Sequence, residues 1–255
     1  MEIKVETRFG DLELLVAIDP FDQALAALQR EKATLATAQQ VAQARIVAGP
    51  DTKVSQYDSW VAENFVYFPN GKIFITPAKH SPILKHSAEA TAAHRSGKEF
   101  YISKEEAAGL EKLARSGEVY TLKQTEDYEI PIEKFAKNGL ARFVFGDATI
   151  DYAKFLEEAG VNEVPVWFVD PKYVKEQKAP FARVLWLCDL LGNRSVLYGR
   201  YRDLDVDYRA RGVRKVKSAD AANAYESIAQ NYGLKSPDNL RDVLEKYTKV
   251  REALQ

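Results

Sequence analysis

Hydrophobic and polar positions alternate over the first twenty residues. Ile3 and Val5, then Leu12, Leu14, Val16 and Ile18, are interleaved with polar residues around Phe9-Gly10-Asp11, which predicts a hairpin closed by a glycine turn. Asp19-Pro20 then marks a helix start, with aspartate as N-cap and proline at the first helical position. Phe21, Leu25, Leu28, Leu35, Ala38 and Val41 fall roughly on one face of a helix running to Ala48, and Gly49-Pro50 ends it. This Ala- and Gln-rich helix packs on its own domain or pairs with a second copy as a short coiled coil.

From Tyr57 to Thr76 the period becomes that of strands, with Phe65–Phe68 and Ile73–Ile75 flanking the turn Pro69-Asn70-Gly71. Ser103 and Glu106 form a capping box for a helix to about Arg115. Pro131 starts a short helix closed by Asn138-Gly139, and a third runs from about Thr149 to Ala159. Short strands are expected at Arg142–Phe145 and Val164–Val169. This mixed order favours an α+β fold over a doubly wound sheet. After Ala179–Arg214, Ser218 caps a helix to Tyr232, and Ser236-Pro237-Asp238 opens a last one. Three regions follow: a hairpin and helix (1–50), a central domain (51–217) and a helical tail (218–255).

Composition narrows the classes. The 255 residues carry 36 Lys+Arg against 37 Asp+Glu, a net charge of −1, so no overall charge draws the chain to nucleic acid or anionic lipid. The lone Cys188 excludes a disulfide framework and a cysteine-based zinc site. A charged start and the lack of a long apolar run predict neither a signal peptide nor a membrane span. A cytoplasmic chain is expected, with export by another route left open.

Residues 179–214 read APFARVLWLCDLLGNRSVLYGRYRDLDVDYRARGVR and contain no Lys, Glu, Gln or Met. Those four types supply about one residue in five of the chain, so such a run has a chance probability of about 2 × 10⁻⁴ before allowing for the choice of window. Every acid in it is Asp and every base Arg. Random replacement of adenines in AAC or AAT codons leaves NNY codons, which never encode Lys, Glu, Gln, Met or Trp.

The segment resembles the variable region of proteins diversified by retroelements, whose reverse transcriptase copies a template with adenine errors. The likeness rests on Pro180-Phe181-Ala182-Arg183 with Leu185-Trp186, then Arg194-Ser195, Leu197, Gly199, Arg202, Leu204, Asp207 and a closing Arg211-Gly212-Val213-Arg214. Ser81–His94, Lys98–Ser103 and Phe143–Asp170 also resemble what precedes that region in small members. The resemblance implies a C-type-lectin-like scaffold, of the formylglycine-generating-enzyme type, that displays a ligand-binding surface without catalysis, and 212–216 would be its final core strand. Many members end at the variable region; the tail here departs from that pattern.

Under this reading the contact side chains are Cys188, Asp189, Leu191, Asn193, Val196, Tyr198, Arg200, Tyr201, Asp203, Asp205, Val206, Tyr208 and Arg209, pointing outward to meet a protein or cell-surface ligand. Trp186, Arg194, Ser195, Leu197, Arg202, Leu204, Asp207 and Arg211 are frame. Tyrosine offers rigid contact area while Asp, Asn, Arg and Ser supply directional hydrogen bonds, the mixture paratopes use. No cofactor or metal is called for. An ordinary hairpin that happens to lack four residue types is the plain alternative.

Other chemistries compete for the same residues. Leu191-Gly192-Asn193 followed by Asp203-Leu204-Asp205 approximates a nucleotidyltransferase signature, in which Asp203, Asp205 and Asp207 share one strand face and hold Mg²⁺. Asn193 stands where that signature has serine. His80, His86 and His94 lie close in sequence but lack His-x₃-His spacing. Arg200, Arg202, Arg209, Arg211, Arg214, Lys215 and Lys217 with Tyr201 and Tyr208 suggest a single-strand binder, yet the intervening aspartates repel phosphate. No Ser/His/Asp or Cys/His arrangement is legible.

Overall fold

The computed structural model describes residues 3–123, 126–190, 195–200 and 203–216. The expected hairpin forms from β1 (Lys4–Phe9) and β2 (Leu12–Asp19), and Gly10 turns it at φ +57°, a left-handed value that glycine takes without strain. Helix α1 (Phe21–Arg30) follows, but the single helix predicted to Ala48 is broken. Lys32 takes φ +57°, Thr34–Leu35 forms β3, and α2 (Ala38–Ala48) restarts behind Thr37. A capping box drives the restart: Thr37 Oγ1 accepts from the Gln40 N–H and Gln40 Oε1 from the Thr37 N–H.

The chain continues through α3 (Lys53–Gln56), β4 (Ser59–Tyr67), β5 (Lys72–Thr76), α4 (Pro82–Lys85) and α5 (Ser87–Arg95). Next come β6 (Phe100–Tyr101), α6 (Lys104–Arg115), β7 (Tyr120–Lys123), β8 (Tyr128–Pro131) and α7 (Ile132–Phe135). Ser103 and Glu106 close the predicted box at α6. The strand predicted at Arg142–Phe145 is instead α8 (Gly139–Phe145). Asn138 does not end the preceding helix but caps the next one, its Oδ1 accepting from the N–H groups of Leu140 and Ala141. The described order closes with α9 (Thr149–Glu158), β9 (Glu163–Trp167), α10 (Pro171–Glu176), β10 (Phe181–Leu187), β11 (Leu197–Tyr198) and β12 (Tyr208–Lys215). The helices expected after residue 218 lie outside the described residues.

Twelve described strands form one sheet along the path β1-β2-β12-β4-β10-β11-β9-β8, with β3 on β12, β5 on β4, β6 on β10 and β7 on β5. Pairing is parallel at β12–β4 and β11–β9. The strands β1, β2 and β3 of residues 1–50 belong to this sheet, and the elements of that region lie within the compact unit Met1–Arg214.

Strand β4 is buried along its whole length because both faces of the sheet are covered. Val61, Phe65 and Tyr67 face a core closed by α2, α7, α8 and α9. Trp60, Ala62 and Val66 face a second core closed by α1, α4, α5 and α6. The break after α1 matters here. Phe21, Leu25, Leu28 and Leu35 join the second core, whereas Ala38 and Val41 join the first. The stripe read as one helix face is therefore divided between two cores and wholly buried within the chain. It offers no surface for the coiled-coil pairing considered above. No helix among the described residues is long and apolar enough to cross a membrane.

Glu63 sits in the middle of β4, almost fully buried, and its Oε2 accepts the N–H of Ala38 at 2.9 Å, the first residue of α2. Burial pushes its carboxyl from 4.5 up to about 7. The folded chain thus holds a proton that the unfolded chain releases, and stability falls as pH rises from 4.5 to 7. Glu63→Gln keeps the acceptor and removes the titration. In urea unfolding it should match the parent near pH 4 and exceed it at pH 8 by about 3 kcal/mol. Parent and variant curves that run parallel with pH would contradict this.

Candidate binding face

The rim of the sheet near the end of β10 carries the restricted-alphabet segment. After Leu187 the chain is pinned by three backbone donors. Cys188 N–H reaches Val196 O at 3.0 Å, Asp189 N–H reaches Asp58 Oδ1 at 2.6 Å, and Leu190 N–H reaches Ser55 O at 2.9 Å. It returns through β11, wedged between β10 and β9. Gly199 N–H then donates to Trp167 O at 2.9 Å, and Tyr67 Oη donates to Gly199 O at 3.0 Å. Leu204 O accepts the N–H of Phe21, the first residue of α1, at 2.8 Å.

Several expected frame residues are anchored from below. Trp186, Ser195, Leu197, Leu204 and Arg211 are buried. Ser195 Oγ lies 3.2 Å from Tyr152 Oη, which accepts a hydrogen bond from Arg45 at 2.9 Å. Arg211 pairs with Glu6 at 2.7 Å and donates to Tyr57 O and Lys53 O. Arg183 makes a two-point pair with Glu99. Asp207 is exposed, and Arg194 and Arg202 lie outside the described residues.

Of the expected contact side chains, Arg200 and Val206 are exposed, and Cys188, Asp189, Asp203, Asp205, Tyr208 and Arg209 are half-buried. Val196 and Tyr198 do not point outward as expected; they are 3% and 4% exposed and pack in the second core. The reason is β11 itself: it is paired on both sides, and the Cys188 bond to Val196 O draws its entry into the sheet. Leu191, Asn193 and Tyr201 fall outside the described residues.

Five of the expected residues nevertheless converge. Cys188, Tyr198, Asp203, Val206 and Tyr208 line a cavity of about 470 Å³ together with Asp58, Trp167 and Trp186. Its walls are aromatic: Trp186 and Tyr208 lie 4.4 Å apart between centroids, and Trp167 meets Tyr198 edge-on at 5.1 Å. Tyr208 Oη donates to Asp58 Oδ2 at 2.8 Å. Burial, reinforced by the Asp58 charge, pushes both the Tyr208 phenol and the Cys188 thiol well above their ordinary ranges. Cys188 is thus a neutral wall, not a thiolate nucleophile. Asp58 and Trp167 were missed by sequence reasoning. Asp58 lies far from the segment in the chain and stands in no motif, while Trp167 lies in the upstream stretch Phe143–Asp170, where nothing singled it out.

The competing chemistries fare differently. The strand that would align Asp203, Asp205 and Asp207 does not form, because the backbone bends through 204–206 and β12 begins only at Tyr208. The one-face alternation behind the magnesium reading is therefore absent. His80 lies beside Glu118 and His86 beside Glu106, while His94 is buried, so the three histidines serve separate surroundings. Much of the basic run is neutralised within the chain: Arg200 by Asp127, Arg211 by Glu6, and Arg214 by Glu13 and Glu31.

A solved structure from Nanoarchaeota, described as the accommodation of massive sequence variation by the C-type lectin fold, superposes with a TM-score of 0.57. The match covers 83% of this chain and 100% of that one, at 17% identity. The chain has a C-type lectin fold. No protein-family model matches it, and no curated protein does. Within this C-type lectin fold the frame and the rim should respond differently to substitution. A Cβ on Gly199 would collide with the Phe65 ring and lie 2.7 Å from Tyr67 Oη, both in the core. Gly199→Ala should cost about 1–3 kcal/mol of stability by overpacking. Val206→Ser on the exposed rim should stay within about 0.5 kcal/mol of the parent. Urea midpoints measure both, and equal losses would contradict the division.

Proposed function

We propose that this protein is a non-catalytic binder that displays a retroelement-diversified surface to protein or cell-surface ligands. The observation that carries the reading is a division of labour within one segment. NNY-type residues gather around a rim cavity, while several interspersed residues of the expected framework are buried and bonded beneath it. Variation at the rim then changes what is recognised and leaves the fold intact. The fold similarity supports the reading at the level of scaffold: the matched protein is itself described as accommodating massive sequence variation.

The diversification half of the proposal is tested in DNA. Sequencing around the gene should reveal a near-copy of the segment spanning Arg183–Arg214 beside a reverse-transcriptase gene. The two copies should differ only where the template has adenine. A neighbourhood with neither a second copy nor a reverse transcriptase removes the diversification claim.

A further inference from the structure

We infer that the rim cavity is a receptor for an arginine side chain presented by a partner protein, an inference that rests on the display reading and gives it a ligand chemistry. Two carboxylates, Asp58 and Asp203, stand among four aromatic rings, and no cationic side chain is among the described residues that line the space. Asp58 already accepts two hydrogen bonds. Asp203 is half-buried and has neither a hydrogen bond nor an ion pair among the described residues. A carboxylate in that position gains most from a cation that brings its own donors.

The walls choose among cations. Guanidinium is flat, weakly hydrated and able to stack on Trp and Tyr faces while forking to a carboxylate; an ammonium ion is compact and strongly hydrated. A volume of about 470 Å³ accommodates a whole side chain with part of its backbone.

The test uses the full chain and three small probes: Nα-acetyl-arginine N-methylamide, its lysine counterpart and its uncharged citrulline counterpart. Two of the three tryptophans line the cavity, so intrinsic fluorescence reports occupancy. The arginine probe should give a saturable change, with citrulline and lysine each binding about 10-fold more weakly or worse, the worth of one charge-assisted hydrogen bond. Asp203→Asn, which removes the charge and breaks no hydrogen bond or ion pair among the described residues, should weaken the arginine probe by about 10-fold at an unchanged thermal midpoint. Equal binding of arginine and citrulline, parental affinity in Asp203→Asn, or no saturable response would each overturn the inference. Those failures would leave the display reading standing on its template comparison. Arginine binding in a gene without a template would do the reverse.

Discussion

The structure turns on two buried arginines that hold one short stretch of backbone. Arg211, on β12, gives its guanidinium to Glu6 on β1 and to the carbonyls of Lys53 and Tyr57. Arg45, on α2, donates to the carbonyl of Val54 and to Tyr152. Both side chains are fully buried. Carbonyls that would otherwise be stranded at the edge of the core are satisfied from beneath, and each charge is matched by several acceptors. The upper side of the same stretch then faces the rim: Arg209 stacks 3.8 Å over the Tyr57 ring, and Asp58 ties Asp189 to Tyr208. Residues 53–58 form a plate bolted to the core below and to the binding face above.

Under the display reading, that arrangement would let a face vary on a constant fold. The large apolar side chains of β4 and β10 are divided between two cores on opposite sides of the sheet, and both lie under helices. Most of the burial that stabilises the chain is therefore remote from the rim. Among the demands the frame makes of the segment are a hydroxyl at Ser195, no side chain at Gly199, an apolar group at Leu204 and a guanidinium at Arg211. Val196, Leu197, Tyr198 and Ala210 are buried between those points, so under the display reading only the exposed and half-buried positions, such as Arg200, Asp203, Asp205 and Val206, are open to a ligand.

The sequence was legible where local chemistry decides. The Gly10 turn, the Ser103–Glu106 box, the helix ending before Gly160 and the presence of a strand at Val164, though it ends at Trp167 and not Val169, all follow from neighbouring residues. It misled where tertiary packing decides. Nothing between Ala24 and Ala48 is glycine or proline, so the left-handed turn at Lys32 carries no signal. Asn138-Gly139 suits a helix end as well as a helix start, and Arg142-Phe143-Val144-Phe145 has the composition of a strand. Only packing of Leu140, Val144 and Phe145 into the first core makes it helical. At the site, the NNY alphabet marks which residues would vary under the display reading but not which way they face. Val196 and Tyr198 carry the same mark as Val206 and Tyr208, and pairing with β9 and β10 sends the first two inward.

The cavity joins the two kinds of residue, and this limits what diversification can change. Trp186 cannot come from an NNY codon, while Trp167 and Asp58 lie outside the segment. Under the display reading, every copy of this scaffold would keep two indoles and one carboxylate in place, whatever a retroelement wrote. Cys188, Asp203, Val206 and Tyr208 complete the wall beside the core-packed Tyr198, and under that reading they are open to change. The NNY alphabet contains Asp but no Glu, and Arg and His but no Lys. A variable position can therefore add a short carboxylate beside Asp58, as Asp203 does, or a cation that cancels it. It cannot remove the aromatic floor. Under the display reading, such a repertoire keeps a constant aromatic floor and a constant Asp58, and sets its choice of partner by the sign of the charge placed next to them.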